Sequence, residues 1–217
     1  MRLNILAAVG CAFVLLRTKS VAEDGYKFLN EIPIGGEGGW DILTVDSPAH
    51  RLYLSHATKV VVVDLVKNAV AGEITDTPGV HGFVAVPELQ RGFSSNGKEN
   101  KASVVDLKTL ATISKIDTGD GPDAMAYDAK AGEVYIFNPK GGSATVSNAK
   151  AAKVVATIPL GGSPEFRAVD TAAGRVQVHL DTRRELAAIN PANHRLRTDL
   201  PLGPGDLTTS PPSTRPP

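Results

Sequence analysis

Short apolar runs separated by Gly, Pro, Asn and Asp recur along most of the chain. Two segments, VVVDLVKNAVAGEITDTPGVHG and SVVDLKTLATISKIDTGDGPDA, share the same order of apolar runs and turn residues. Runs such as KVVVVDL are apolar at successive positions, so a strand built from them must be covered on both faces. Asn96-Gly97 favours a tight hairpin, because such a turn needs a positive φ. The pattern therefore predicts short β-strands joined by hairpins.

The strand pattern repeats along the chain at a nearly constant interval. Intervals of 42 residues separate the members of two series, Asp64, Asp106, Asn148 and Asn190, and Ile74, Ile116, Ile158 and Leu200. Each unit is interpreted as four strands, and periods of 40–45 residues with four strands are typical of β-propeller blades. We predict an all-β propeller fold with four four-stranded blades, at about 40–75, 81–117, 123–159 and 165–201. The segment Tyr26–Ile34 aligns with a fourth strand, so one leading strand is predicted as well.

Four stretches of the repeats carry a family resemblance: RLYLSHATKVVVVDL, PGVHGFVAVPELQRGFSSNG, GPDAMAYDAKAGEVYIFN and VVATIPLGGSPEF. They resemble the YVTN-repeat (YncE-like) β-propeller family of exported bacterial proteins, over about residues 26–202. Members of that family usually have seven blades, so the resemblance implies a truncated member that forms a partial, open version of the ring. It also implies a binding role, with single-stranded DNA among the family's associated ligands, and relatives on similar propellers are lactonases or redox-enzyme subunits.

The amino-terminal segment is typical of a secretory signal. Arg2 precedes an apolar stretch from Leu3 to Leu16, and Ser20-Val21-Ala22 is a small-x-small cleavage pattern. We predict a signal peptide at residues 1–22 and a periplasmic or secreted protein. An uncleaved membrane anchor is the alternative, because Arg17 and Lys19 follow the apolar stretch.

The cysteine content and the carboxy-terminal tail exclude some kinds of site and structure. The only cysteine, Cys11, lies within the signal, so the mature chain is predicted to have no disulfide and no cysteine metal site. The Pro-rich tail 203–217 has no strand pattern and is predicted to be disordered.

Basic and acidic residues number 23 each, so no overall field draws the chain to nucleic acid. Blade four is rich in arginine but has one aromatic residue, Phe166, which gives single-stranded DNA binding little support.

Repeat alignment identifies one position of chemical interest. It is occupied by Asp41, His81, Asp123 and Glu165, at intervals of 40, 42 and 42 residues. We expect these four residues, called the arc below, to lie around the mouth of the central channel. Carboxylates with an imidazole can hold a divalent cation such as Ca²⁺ or Mn²⁺, or contact another ligand. The alternative is that they cap strand ends and bond backbone amides.

A second set of equivalent polar residues follows the second strand of each unit and is expected near the same face. Its members are His56, Asn96 and Asn138, and the fourth unit has Leu180 instead. No nucleophile–base pair is visible in either set, so no catalytic residue is assigned. No cofactor is predicted beyond the divalent cation.

The functional hypotheses follow from the fold and the arc. The first is a binding or interaction role for an unidentified ligand or protein partner. The second is a lactonase-like or other metal-assisted hydrolase at the channel mouth, and the third is a non-functional fragment of a longer propeller. Self-association is also expected, because an open arc of blades would leave Val60–Val63 of blade one and RVQVHL and ELAAIN of blade four uncovered on one face.

Overall fold

The computed structural model describes residues 27–201, without the side chains of 198–201. The predicted signal at 1–22 and the predicted tail at 203–217 therefore lie outside the described residues. All strands belong to the compact unit Ile32–Pro217, and the other unit, Met1–Glu31, is described only from residue 27. Among the described residues no helix has the length and apolar character that crossing a membrane requires.

The described residues form four antiparallel sheets, called blades one to four, each with its four strands in chain order. Blade one consists of β1 (Trp40–Asp46), β2 (Arg51–His56), β3 (Lys59–Asp64) and β4 (Ala69–Ile74). Blade two consists of β5 (Val80–Val86), β6 (Arg91–Asn96), β7 (Lys101–Asp106) and β8 (Thr112–Asp117). Blade three consists of β9 (Met125–Asp128), β10 (Glu133–Asn138), β11 (Ser143–Asn148) and β12 (Lys153–Pro159). Blade four consists of β13 (Pro164–Asp170), β14 (Arg175–Leu180), β15 (Glu185–Asn190) and β16 (Arg195–Pro201).

Successive blades pack face to face, with their first strands β1, β5, β9 and β13 as neighbours around the inner side. Apolar side chains fill each of the three junctions. At the first junction the ring of Tyr53 stacks on Phe83, with centroids 4.5 Å apart. Burying one such side chain contributes about 1.5–3 kcal/mol. This architecture confirms the predicted all-β fold of four four-stranded propeller blades.

Asp and Asn residues at equivalent turns hold the strands in register. The backbone N–H of Ala49 donates to Asp46 Oδ1 at 3.1 Å, and that of Ala173 donates to Asp170 Oδ1 at 2.8 Å. The Asp/Asn series spaced by 42 residues does the same between third and fourth strands, as where Val66 N–H donates to Asp64 Oδ1 at 2.9 Å. Side chains that accept from the backbone in this way favour turns, which explains why the repeat retains them.

The predicted leading strand is not formed. Residues 27–39 contain no strand, and Tyr26 lies outside the described residues. The segment was aligned with the outermost strand of a further blade, whereas each of the four described sheets already has its own fourth strand. A strand needs a neighbour for its backbone hydrogen bonds, so without a third strand beside it the segment stays irregular.

The expectation of a bare face at Val60–Val63 is also wrong. All four residues are at most 1% exposed, and the exposed apolar residues of this blade include Leu43 and Val45 on β1, at 59% and 54%. Blade four carries a more polar outer face than its strand sequences suggested. Val176 and Val178 pack against blade three, while Gln177 stands between them on the opposite face, because side chains alternate along a strand.

Candidate functional site

Three of the four arc residues sit at irregularities in the innermost strands. In β1 the antiparallel pairing is interrupted after Trp40, so that Asp41 and Ile42 together face the single residue Ser55 of β2. The pairings of β5 and β13 shift at the same place, where each strand carries its own arc residue. Such a β-bulge bends the strand and re-aims a side chain. The bulge thus turns one ionisable side chain out of the regular ladder in blades one, two and four, whereas Asp123 of blade three lies just before β9.

Three arc residues from three successive blades meet. His81 Nδ1 and Asp41 Oδ2 lie 2.7 Å apart and share a hydrogen bond. One ligand atom each from Asp41, His81 and Asp123 lie within 4.8 Å of one another. Asp41 is exposed, whereas His81 and Asp123 are half-buried. We call these three residues the inner-strand cluster.

The carboxyl group of Asp123 has a raised pKa. Its burial raises the pKa of Asp123 above the ordinary range, and the charge of His81 opposes this effect. The nearby charge of Asp41 raises the pKa further, while that of Arg167 lowers it. A cation bound in the cluster would reverse the balance, because it favours the ionised carboxylate.

Glu165 is not among the residues whose ligand atoms lie within 4.8 Å of one another, but the charge of Asp123 still acts on it. Burial raises the pKa of Glu165 first, and the charges of Asp123 and Asp181 raise it further. A hydrogen bond with Ser163 and the charge of His179 act in the opposite direction. The structure therefore brings together three of the four arc residues and leaves the fourth as a charged neighbour.

Arg167 was not identified from the sequence, and its positively charged guanidinium group acts on the cluster through Asp123. Its side chain is half-buried, and its Nε donates to the backbone oxygen of Met125 at 2.7 Å. Burial lowers the pKa of Arg167, and the charge of Asp123 opposes that shift. The equivalent residues of the other blades, Leu43, Phe83 and Met125, are apolar. This break in the repeat, two positions after the arc, was the signal that could have identified it.

The two asparagines of the second set are buried inside their own hairpins. Asn96 Nδ2 donates to Ser103 Oγ at 2.8 Å and to Glu99 Oε1 at 2.7 Å. Asn138 Nδ2 donates to Thr145 Oγ1 at 3.1 Å. These bonds join a second strand to a third strand within one blade, so they stabilise the hairpin.

His56 occupies the equivalent place in blade one and has a different environment. Its ring lies parallel to that of Trp40, with centroids 3.8 Å apart, and neither ring nitrogen has a hydrogen-bond partner in the described part of the chain. Trp40 remains 51% exposed on the far side of the stack. Gly36 and Gly38 allow the preceding loop to pack here, since a Cβ on Gly36 would lie 2.9 Å from His56 Cε1.

Comparison with known proteins gives matches to solved structures. No family model and no curated protein matches the chain. The hydrazine synthase of Kuenenia stuttgartiensis superposes with a TM-score of 0.64 at 19% identity, over 71% of this chain and 47% of that one. The dihydro-heme d1 dehydrogenase NirN superposes with a TM-score of 0.63 at 14% identity, over 76% of this chain and 38% of that one. A streptogramin B lyase superposes with a TM-score of 0.65 at 14% identity, over 76% of this chain and 55% of that one.

These similarities concern the fold. The three neighbours are β-propeller proteins, and identities of 14% to 19% carry no information about activity. The matched region spans between 38% and 55% of their length. Membership of the YVTN-repeat family stays a prediction.

Proposed function

We propose that this chain is a β-propeller binding protein whose inner-strand cluster holds a divalent cation. The observation that carries the proposal is the approach of Asp41, His81 and Asp123 to within 4.8 Å of one another. Ligands on opposite sides of a Ca²⁺ ion are roughly 4.6–5.2 Å apart, so the spread of this group matches an ion of this size. The hydrogen-bonded pair His81 Nδ1 and Asp41 Oδ2, at 2.7 Å, would separate slightly to act as adjacent ligands. Two carboxylates suit Mn²⁺ or Ca²⁺, and the imidazole favours a transition metal, so Mn²⁺ is the preferred ion.

Binding a cation would also relieve the electrostatic repulsion within the cluster. A positive ion offsets the repulsion between the Asp41 and Asp123 carboxylates and favours the ionised form of Asp123. Three protein ligands leave coordination positions free for a ligand molecule. The cation would therefore form part of a binding site at the inner strands, where loops from several blades converge.

Export and family membership belong to the same proposal. The sequence of residues 1–22 supports secretion of a YVTN-like propeller into the periplasm or the medium. Mass spectrometry of protein from the native host should then find Glu23 at the amino terminus. Intact Met1 in the membrane fraction would instead identify an anchor.

The cation site is tested by calorimetric titration with Mn²⁺ and by thermal melting. Saturation at 100 times the dissociation constant stabilises a protein by about 2.7 kcal/mol, so a clear rise in Tm is expected. Asp123→Asn should weaken Mn²⁺ binding at least about tenfold, because it removes a charged ligand. Asp117→Asn is the matched control, since the Asp117 side chain is 87% exposed and lies outside the cluster. Absence of binding by Mn²⁺, Ca²⁺ and Zn²⁺ would refute the proposal.

Metal-assisted hydrolysis, of a lactone or another ester, is the second candidate. The hydrogen bond between Asp41 and His81 favours it, because a carboxylate that orients an imidazole prepares a general base. Turnover of a lactone probe that requires Mn²⁺ and disappears in His81→Gln would select this candidate over a purely binding role.

A further inference from the structure

We infer that Arg167 is the anion-binding half of this site, and that the bound molecule carries a carboxylate or phosphate group. The anion would lie between the guanidinium group and the cation held by the inner-strand cluster. This inference rests on the proposed cation site for its second contact, whereas the role of Arg167 itself can be tested without metal.

The position of Arg167 in the repeat is the first argument. The equivalent residue of blade two, Phe83, is fully buried and stacks on Tyr53 of the preceding blade, and Met125 of blade three is 1% exposed. Blade four thus places a permanent charge where the other junctions have core residues. Removing a charge from water is costly unless the charge is paired, so a guanidinium group at a blade junction requires a counter-charge.

The described contacts of Arg167 do not supply that counter-charge. Its hydrogen bond goes to the uncharged backbone oxygen of Met125, and it forms no ion pair within residues 27–197. Glu165 does not take this role either, because no ion pair joins it to Arg167 among the described residues. The acidic group that does influence Arg167 is Asp123, which belongs to the cluster.

Charge balance at the cluster supplies the second argument. The carboxylates of Asp41 and Asp123 would together neutralise one divalent cation, so the charge of Asp123 would act on the metal rather than on Arg167. The guanidinium charge would then remain beside a metal with free coordination positions. An oxyanion satisfies both groups, because carboxylate and phosphate accept two parallel hydrogen bonds from Arg and also coordinate divalent cations.

The test is calorimetric titration of the whole chain with two probes, inorganic phosphate and succinate, with and without saturating Mn²⁺. Arg167→Met is the decisive variant, because methionine is the residue that blade three has at the equivalent position. We expect it to lower oxyanion affinity about 10- to 100-fold, in line with the loss of charged hydrogen bonds, and to leave Mn²⁺ affinity unchanged or higher. Arg167→Lys retains the charge without the planar fork and should give an intermediate loss. Arg175→Met, which removes an exposed arginine of the same blade, should change neither affinity.

The outcomes separate this inference from the proposed cation site. If Mn²⁺ binds but neither anion does, or if the anions bind Arg167→Met and Arg167→Lys as tightly as the unaltered chain, the inference is overturned and the cation site stands. If an anion binds through Arg167 while none of Mn²⁺, Ca²⁺ and Zn²⁺ binds, the cation proposal fails and Arg167 keeps its role. Preference for phosphate over succinate, or the reverse, identifies which oxyanion the site takes and supports the inference.

Discussion

His81 Nδ1 lies 2.7 Å from Asp41 Oδ2, across the junction between blades one and two. The two side chains are 39% and 40% exposed, so water screens their interaction. A pair of this kind adds little to stability, yet it places an imidazole and a carboxylate side by side next to Asp123. We therefore propose that the contact serves ligand binding rather than folding.

Asp41→Asn tests that explanation directly. We expect the free energy of unfolding of the metal-free chain to change by less than about 1 kcal/mol, because exposed ion pairs contribute only that much. Mn²⁺ affinity should fall at least about tenfold, since a charged ligand is lost. Urea denaturation and calorimetry measure the two quantities. A large loss of stability together with unchanged Mn²⁺ binding would assign the pair a structural role.

Asp123→Asn should affect stability in opposite directions with and without metal. The pKa of Asp123 is raised in the folded chain, mainly by burial, so its contribution is favourable at low pH and is lost as the pH rises through the folded value. The metal-free variant should therefore be more stable than the unaltered chain at pH 7. This difference should vanish below the ordinary Asp pKa of about 3.9, where both side chains are uncharged.

Mn²⁺ should reverse the order at pH 7, because only the unaltered chain gains the full binding energy. Thermal melting across pH 3–8, with Mn²⁺ and with a chelator, measures both effects. A variant less stable than the unaltered chain in the metal-free state at pH 7 would contradict the prediction.

Gly38→Ala should destabilise the chain by about 1–3 kcal/mol, because two constraints act at this residue. Gly38 has a φ of +113°, and a Cβ there would lie 2.5 Å from Ala57 Cβ. Gly39→Ala is the matched control, since Gly39 has no positive φ and no atom within 4 Å of the added Cβ. Chemical denaturation compares the two variants, and equal effects would show that the loop does not need its close approach to the His56 hairpin.

We propose that the chain self-associates through the exposed face of β1 in blade one. Leu43 and Val45 are more than half exposed, whereas the equivalent Phe83 of blade two is buried against the preceding blade. We expect light scattering after size exclusion to find oligomers that the double variant Leu43→Glu/Val45→Glu dissociates, because it places two charges on the apolar face. Ile113→Glu, at a 53% exposed position on β8, is the control and should leave the oligomers intact. A monomer at all concentrations would show that this face needs no cover.

The sequence by itself determined the blades and the positions of the arc. The interval of 42 residues, the apolar runs and the Asp/Asn turns are encoded within each unit, and strand pairing inside a hairpin depends on neighbours close along the chain. That is why β5 to β8, which run from Val80 to Asp117, coincide with the second blade predicted at about 81–117. Asp41, His81, Asp123 and Glu165 could be found in the same way, as one repeat position with an ionisable residue in every unit.

Only the tertiary structure decided which of these residues meet. Distances between side chains of different blades depend on the angles between sheets and on the bulges in β1, β5 and β13, which the pattern of a single unit does not reveal. These features bring Asp41, His81 and Asp123 together and leave Glu165 outside. Asn96 and Asn138 are instead buried and hydrogen-bonded within their own hairpins. The missing leading strand has the same cause, because a strand forms only where another strand lies beside it to accept its hydrogen bonds.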